Sequence, residues 1–321
     1  MQLLVTGGTG YLGSLLVETL SKKFSVRVLV REKNRAVPLQ QSERIEIVSG
    51  DVRDRSSLQK ALQGCEAVFH LAALVKQWVP KASLFHEVNV EGFRNVAEES
   101  WKAGVKRFLY TSSFIALGPA EATPGHRAFH NPYERSKAEA LEVARTYQKK
   151  GYPLITLIPT VLYGPGRWTE GNHLSRMLKE LLAGNFRGYF DQGKWRWNFA
   201  YVRDVAEGHR LALERGSIGE EYILGGETVP LKEFFDLAGI LADHPVPAKE
   251  ISIPLLHLYA TLEELKATLF HREPSLTRSS LAIYRNDWIF SDEKARRELG
   301  YAPTPLRSAL ATTIGWLKEA C

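Results

Sequence analysis

The segment Thr6-Gly7-Gly8-Thr9-Gly10-Tyr11-Leu12-Gly13 constrains this chain most, because it sits between a short apolar run (residues 2–6) and a stretch with helical spacing. Over residues 11–22 the apolar positions Leu12, Leu15, Leu16 and Leu20 recur every three or four residues, which predicts a helix. A strand that turns sharply into a helix presents free backbone N–H groups and a positive dipole end at the turn. Each glycine has a separate reason to be there. Gly7 turns the chain, Gly10 lacks the Cβ that would hold a pyrophosphate away, and Gly13 lets the helix pack close. The turn predicts dinucleotide binding through Gly7, Thr9, Gly10, Tyr11, Leu12 and Gly13.

The rhythm continues beyond the turn. Strands are expected at 25–31, 44–49, 67–71, 107–112 and 154–158. Helices are expected at 56–62, 84–103 and 132–150. Alternation of this kind argues for a doubly wound parallel α/β sheet of Rossmann type, with ligand at the carboxyl ends of the strands. After Pro159 the rhythm loosens into helices near 171–183, 203–214 and 230–242 and a strand at 222–224. The expected division is a dinucleotide-binding core (1–160) and a smaller, mixed α/β substrate-covering lobe (161–321), some of whose segments return to the core.

The end of the second strand bears on cofactor choice. A carboxylate there would bind a ribose 2′-OH, whereas Arg31 can pair with a 2′-phosphate. Lys33 and Arg35 follow closely, with Glu32 between. NADP is therefore the expected cofactor. NAD is the alternative if Arg31 only covers the adenine. Asp51, after the third strand, is placed to accept a hydrogen bond from the adenine amino group, with Val52 beside it.

Twelve tyrosines are present, and only Tyr133 has a lysine, Lys137, four residues on. At that spacing both side chains lie on one helix face. The helix follows a strand ending Thr111-Ser112-Ser113. Strand-end hydroxyls, a tyrosine–lysine pair and a glycine turn together suit hydride transfer between an alcohol and a carbonyl.

These pieces make the chain resemble the extended short-chain dehydrogenase/reductases. The motifs are TGGTGYLG (6–13), GDV (50–52), HLAA (70–73), NVEG (89–92), YTSS (110–113), YERSK (133–137), LYGPG (162–166) and YVRDVAEGH (201–209). They cover most of the chain in the family's order. The LVR strand end and TSSFIALGP (111–119) resemble the dihydroflavonol-reductase-like branch. The run at 69–96 looks most like farnesol dehydrogenases, and hopanoid-associated epimerase-like proteins are similar too.

The resemblance implies roles. Tyr133 is the acid/base on the substrate oxygen. Lys137 lowers the tyrosine pKa from its ordinary value of about 10 and binds the nicotinamide ribose. Ser113 holds the substrate oxygen, with Ser112 as the fallback. Asn89 supports the network. Leu71, Ala72 and Ala73 line the cofactor, and Pro159 and Val161 line the nicotinamide. A homodimer through the helices at 84–103 and 132–150 is the family-level expectation.

The sugar-nucleotide branches carry Arg-Pro before the LYGPG-like motif, where this chain has Ile158-Pro159. Trp78, Val79, Phe114, Leu117, Trp168, Trp195 and Trp197 are candidates for an apolar substrate pocket. Arg196 could instead pair with a diphosphate, which keeps an epimerase or dehydratase with tightly bound cofactor as the second reading. A cofactor-sensing protein without catalysis is the third, and the retained Tyr133 and Lys137 count against it.

Composition enters as a set of exclusions. The net charge of +6 comes from scattered basic residues with no basic, aromatic-interleaved stripe, so a nucleic-acid face is not expected. Two cysteines, Cys65 and Cys321, make no disulfide framework and suit a reducing, cytoplasmic setting. The N-terminus lacks signal-peptide features, and the apolar stretch 251–270 is broken by Glu263, Glu264 and Lys266, so no membrane span is expected. His126 and His130 lie in a Pro-Gly loop without a third ligand, so no metal is expected. Cys65 has no histidine partner to make it a nucleophile.

Overall fold

The computed structural model describes the whole chain except residues 33–38, 40–41, 77, 120–128, 130, 170, 245, 248, 271 and 320–321. Lys33, Arg35, His126, His130 and Cys321 lie outside the described residues. In the first half the apolar runs become strands. The order is β1 (Gln2–Thr6), α1 (Tyr11–Ser21), β2 (Ser25–Val30), β3 (Ile45–Ser49), α2 (Arg55–Leu62), β4 (Ala67–His70), α3 (Ser83–His86), α4 (Gly92–Lys102), β5 (Arg107–Thr111), α5 (Pro132–Lys149) and β6 (Leu154–Pro159), so that helices follow β1, β3, β4 and β5. The second half adds β7 (Val161–Tyr163), α6 (His173–Leu182), β8 (Arg196–Tyr201), α7 (Val202–Arg215), β9 (Glu221–Leu224), β10 (Glu227–Pro230), α8 (Leu231–Ala242), α9 (Ile253–Phe270), α10 (Arg278–Tyr284), α11 (Glu293–Leu299) and α12 (Leu306–Glu319).

Seven strands form one parallel sheet in the order β3-β2-β1-β4-β5-β6-β9. β4 and β6 are buried at every residue, as expected of strands covered on both faces. The strand order reverses between β1 and β4, so a crevice opens at their carboxyl ends. Both sides of that crevice come from the first half: the glycine turn after β1 and the ends of β4 and β5. A small second sheet, β10-β8-β7, carries the other lobe. β9 returns to pair with β6 in the large sheet, and the α7 residues Val202, Val205, Ala206, Leu211, Ala212 and Leu213 share one core with α1.

One element departs from the sequence expectations. The helix expected over 84–103 is not continuous. A π-helical turn, Glu87–Glu91, separates α3 from α4. One such turn re-aims the side chains within it, and here it carries Asn89. The apolar stretch 251–270 becomes α9, which turns its alanines inward and its leucines outward. Ala260 and Ala267 are buried, while Leu255, Leu258, Leu262, Leu265 and Leu269 are exposed. Glu263 accepts hydrogen bonds from Ser275, and Glu264 from Arg278, so the charges in this stretch fasten the helix down. Among the described residues no helix is long and apolar enough to cross a membrane.

Candidate active site

The glycine turn is shaped by backbone crowding. Gly7 has φ +76°, and a Cβ on it would lie 2.6 Å from the Ala72 nitrogen. A Cβ on Gly13 would lie 2.1 Å from the Gly7 carbonyl oxygen, so α1 packs directly against the turn. Gly10 differs from both. A Cβ there would meet only the Gly7 oxygen, at 3.2 Å, so its outer side is open. Gly10 is also the N-cap of α1, and no side chain caps the helix. Uncapped first-turn amides beside an open glycine fit a dinucleotide pyrophosphate.

The remaining cofactor candidates surround this turn in different ways. The Thr6 hydroxyl accepts from the Ala72 N–H at 3.3 Å, and the Leu71 N–H donates to the Thr6 carbonyl at 3.0 Å, which fixes the end of β4 beside the turn. Leu71, Ala72 and Ala73 are half-buried there, and so is Thr9 in the turn. Leu12 is a core residue. Tyr11 donates from its hydroxyl to the Gly164 carbonyl at 2.6 Å, tying the turn to the LYGPG segment. Val52 is buried against Gly92, and its carbonyl accepts from Asn95. Pro159 and Val161 are buried at the end of β6 and the start of β7.

Arg31 is exposed just past the end of β2. Both Asp51 oxygens accept from Arg53, at 3.0 and 2.8 Å. Arg53, with Arg31 further off, holds the Asp51 carboxyl below its usual range. Arg53 is thus a second cation beside Asp51, and sequence reasoning passes over it. The signal for it is its place directly after the GDV motif.

The candidate catalytic residues come together at the end of β5. Asn131 caps α5 by accepting the Glu134 N–H at 2.8 Å, and Pro132 sits in the first turn. This start fixes Tyr133 one turn before Lys137. The Tyr133 hydroxyl lies beside Ser113. Ser112 points elsewhere: its hydroxyl is buried on the side of Tyr110 and has no hydrogen-bond partner among the described residues. Of the two serines, Ser113 is the one beside the tyrosine.

Burial pushes Tyr133 up to about 12, and the Ser113 side chain beside it opposes that rise. Burial pushes Lys137 down to about 8. The Lys137 ammonium donates to the Thr111 carbonyl at 3.4 Å and lies 5.7 Å from the Tyr110 ring centre. It makes no hydrogen bond to the Tyr133 hydroxyl among the described residues, so the expected lowering of the tyrosine by the lysine is not visible here. The i, i+4 spacing gives both side chains the same face but does not bring their tips together.

Asn89 is 3% exposed and fully engaged. Its side-chain oxygen accepts from the Leu74 N–H at 2.7 Å. Its NH₂ donates to the Leu74 carbonyl at 3.3 Å and to the Ser136 hydroxyl at 2.9 Å. Ser136 in turn donates to the Tyr133 carbonyl at 2.8 Å. Asn89 therefore clamps the loop after β4 to the helix that carries Tyr133 and Lys137. Sequence reasoning also passes over Ser136, although it stands inside the YERSK motif.

The apolar core of the second lobe reaches this cluster, with Phe114, Tyr133 and Trp195 all packed against it. The Phe114 ring meets Trp288 edge-on at 5.0 Å. The other tryptophans have their own partners. Trp168 stacks on Trp316 of α12, Trp197 stacks on Tyr284, and the Trp195 N–H donates to Asp191. Trp78, Val79 and Leu117 are half-buried. Arg196 is exposed at the start of β8. Cys65 is buried, and burial raises its thiol pKa, which is the opposite of a nucleophile's setting.

A family model described as "NAD dependent epimerase/dehydratase family" matches residues 3–225. A putative dihydroflavonol 4-reductase of Synechocystis sp. is 30% identical, over 98% of this chain and 94% of its own length. A 4-hydroxy-2-methyl-3-oxo-4-farnesyl-3,4-dihydroquinoline-1-oxide ketoreductase of Stigmatella aurantiaca is also 30% identical, over 94% of this chain and 92% of its own. The solved UDP-glucuronic acid 4-epimerase from Bacillus cereus, in complex with UDP-glucuronic acid and NAD, superposes with a TM-score of 0.79 over the full length of both chains. At 20% identity it shows the fold.

Proposed function

The chain belongs to the NAD dependent epimerase/dehydratase family, within the extended short-chain dehydrogenases/reductases, and from that premise we propose that it interconverts an apolar alcohol, prenyl-like or aryl, and its carbonyl. The observation that carries this reading is the placement of Tyr133 beside Ser113 at the edge of an apolar core that contains Trp288 and has Phe114 packed against it. The reductase and ketoreductase names of the full-length relatives support redox chemistry with net cofactor turnover.

When bound, the nicotinamide accepts or supplies the hydride. The chain's own residues handle the oxygen. Ser113 orients it and Tyr133 exchanges its proton. In the free protein Tyr133 keeps its proton well above neutral pH, so the site is set to donate to a carbonyl oxygen. Alcohol oxidation needs the tyrosinate and is expected to quicken as pH rises. Lys137, charged below about 8, is the group this reading assigns to the nicotinamide ribose. Arg31 favours NADP over NAD, with Arg53 as a second cation nearby. A homodimer through α4 and α5 remains part of this reading.

The test is a titration of prenyl alcohols of increasing length, and of UDP-glucose, against the cofactor-loaded protein, with NAD⁺ and NADP⁺ in turn. Burying apolar surface is favourable by roughly 25 cal/mol per Å², so KM is expected to fall from prenol to farnesol. Micromolar UDP-glucose binding with no effect of chain length would replace this reading with the epimerase one.

A further inference from the structure

We infer that His209, the last residue of the YVRDVAEGH motif, is a positioning residue that holds the end of β5 for Lys137 by way of Thr111. This rests on the reading of Tyr133 and Lys137 as the proton-transfer pair. His209 lies on α7, across the sheet from α5, and is 0% exposed. Its Nδ1 is 2.7 Å from the Val205 carbonyl and its Nε2 is 2.9 Å from the Thr111 hydroxyl. A carbonyl oxygen only accepts, so Nδ1 carries the ring hydrogen. With the ring neutral, Nε2 offers a lone pair, and the Thr111 hydroxyl must donate to it.

The orientation has a consequence at the site. Thr111 is the last residue of β5, directly before Ser112 and Ser113, and its carbonyl receives the Lys137 ammonium. The two groups of Thr111 are held from opposite sides. Its hydroxyl is anchored to α7, and its carbonyl is offered to the lysine on α5. The Ser112 N–H, bonded to the Leu157 carbonyl at 2.8 Å, fixes the next residue to β6. Without His209, the threonine side chain loses its buried acceptor and the carbonyl is free to tilt away from Lys137. The site then loses alignment without losing any group that touches substrate.

The experiment compares Thr111→Val, Thr111→Ser and His209→Phe with the wild type, in melting temperature, cofactor affinity and turnover. Valine keeps the shape and removes the donor, while serine keeps the donor. Thr111→Val is expected to bind NAD(P) several-fold more weakly and to lower kcat about tenfold, the order of one lost hydrogen bond. Its alkaline rise in oxidation rate is expected at higher pH, and Thr111→Ser is expected to restore all three. A Thr111→Val protein that melts lower but keeps wild-type cofactor affinity, kcat per folded molecule and pH profile would overturn the inference. A serine variant that rescues nothing would overturn it as well. If His209→Phe fails to fold, the two threonine variants decide alone. Cofactor affinity needs no substrate, so this result is separate from the failure of the alcohol reading, which would appear as no turnover of any alcohol by the wild type.

Discussion

The two halves of the site are built on different physics. The glycine turn is fixed by shape: Gly7 and Gly13 are held where a single added carbon would lie 2.6 and 2.1 Å from backbone atoms. The Tyr133–Lys137 helix is held by hydrogen bonds through Asn131, Asn89–Ser136 and Thr111, and its polar groups are buried, with the tyrosine pushed up and the lysine pushed down. The first arrangement excludes substitution sterically and costs the fold little. The second keeps a cation buried at some expense of stability.

The sharpest way to break this contrast is Gly13→Ala. Alanine is the better helix former, so propensity alone predicts a gain of about 1 kcal/mol. The Gly7 carbonyl cannot yield as a flexible side chain would, and overpacking costs about 1–3 kcal/mol. The expected outcome is a lower melting temperature with cofactor binding lost. A stabilised protein that still binds cofactor would show that the turn is not held by crowding.

Arg31→Asp probes the same half by charge. Losing a charge-assisted hydrogen bond of about 1.5–3 kcal/mol weakens NADP⁺ by roughly ten- to a hundredfold. NAD⁺ is expected to change less, and equal weakening of both in a binding titration would mean that Arg31 only covers the adenine.

Lys137→Met tests the other half through stability. The lysine's folded pKa of about 8 lies below its ordinary 10.5, so the folded chain holds fewer protons between those values. Its penalty is therefore complete below about pH 8 and fades as pH rises towards 10.5. Lys137→Met is expected to be inactive yet to melt higher at pH 7, by roughly 2–4 °C for each kcal/mol recovered. The gain is expected to vanish in scans above pH 10. A lower melting temperature at every pH would contradict the idea of a costly buried cation.

The contrast also explains what the sequence discloses. The glycine turn, the strand–helix alternation and the Tyr133–Lys137 pair are local patterns, with causes lying within a few neighbouring residues. The Asn89 clamp depends on a π-helical turn that the apolar spacing over 84–103 does not reveal, because one added residue per turn leaves the face apolar. The Thr111–His209 contact joins residues 98 apart. The second sheet is likewise hidden, since β7, β8 and β10 are three short strands whose pairing is entirely non-local. α9 shows the limit of apolar pattern reading: its leucines face outward and its alanines inward, and a tally of apolar residues cannot tell those faces apart.

The central claim is that Tyr133 exchanges a proton with a substrate oxygen while a hydride moves to or from the cofactor. The direct measurement is single-turnover reduction of the cofactor by farnesol in wild type and Tyr133→Phe, with cofactor affinity measured on both. General acid–base catalysis contributes about 10²–10⁴-fold, so the phenylalanine variant is expected to bind cofactor normally and to slow by at least a hundredfold. Wild-type turnover in Tyr133→Phe would contradict the account.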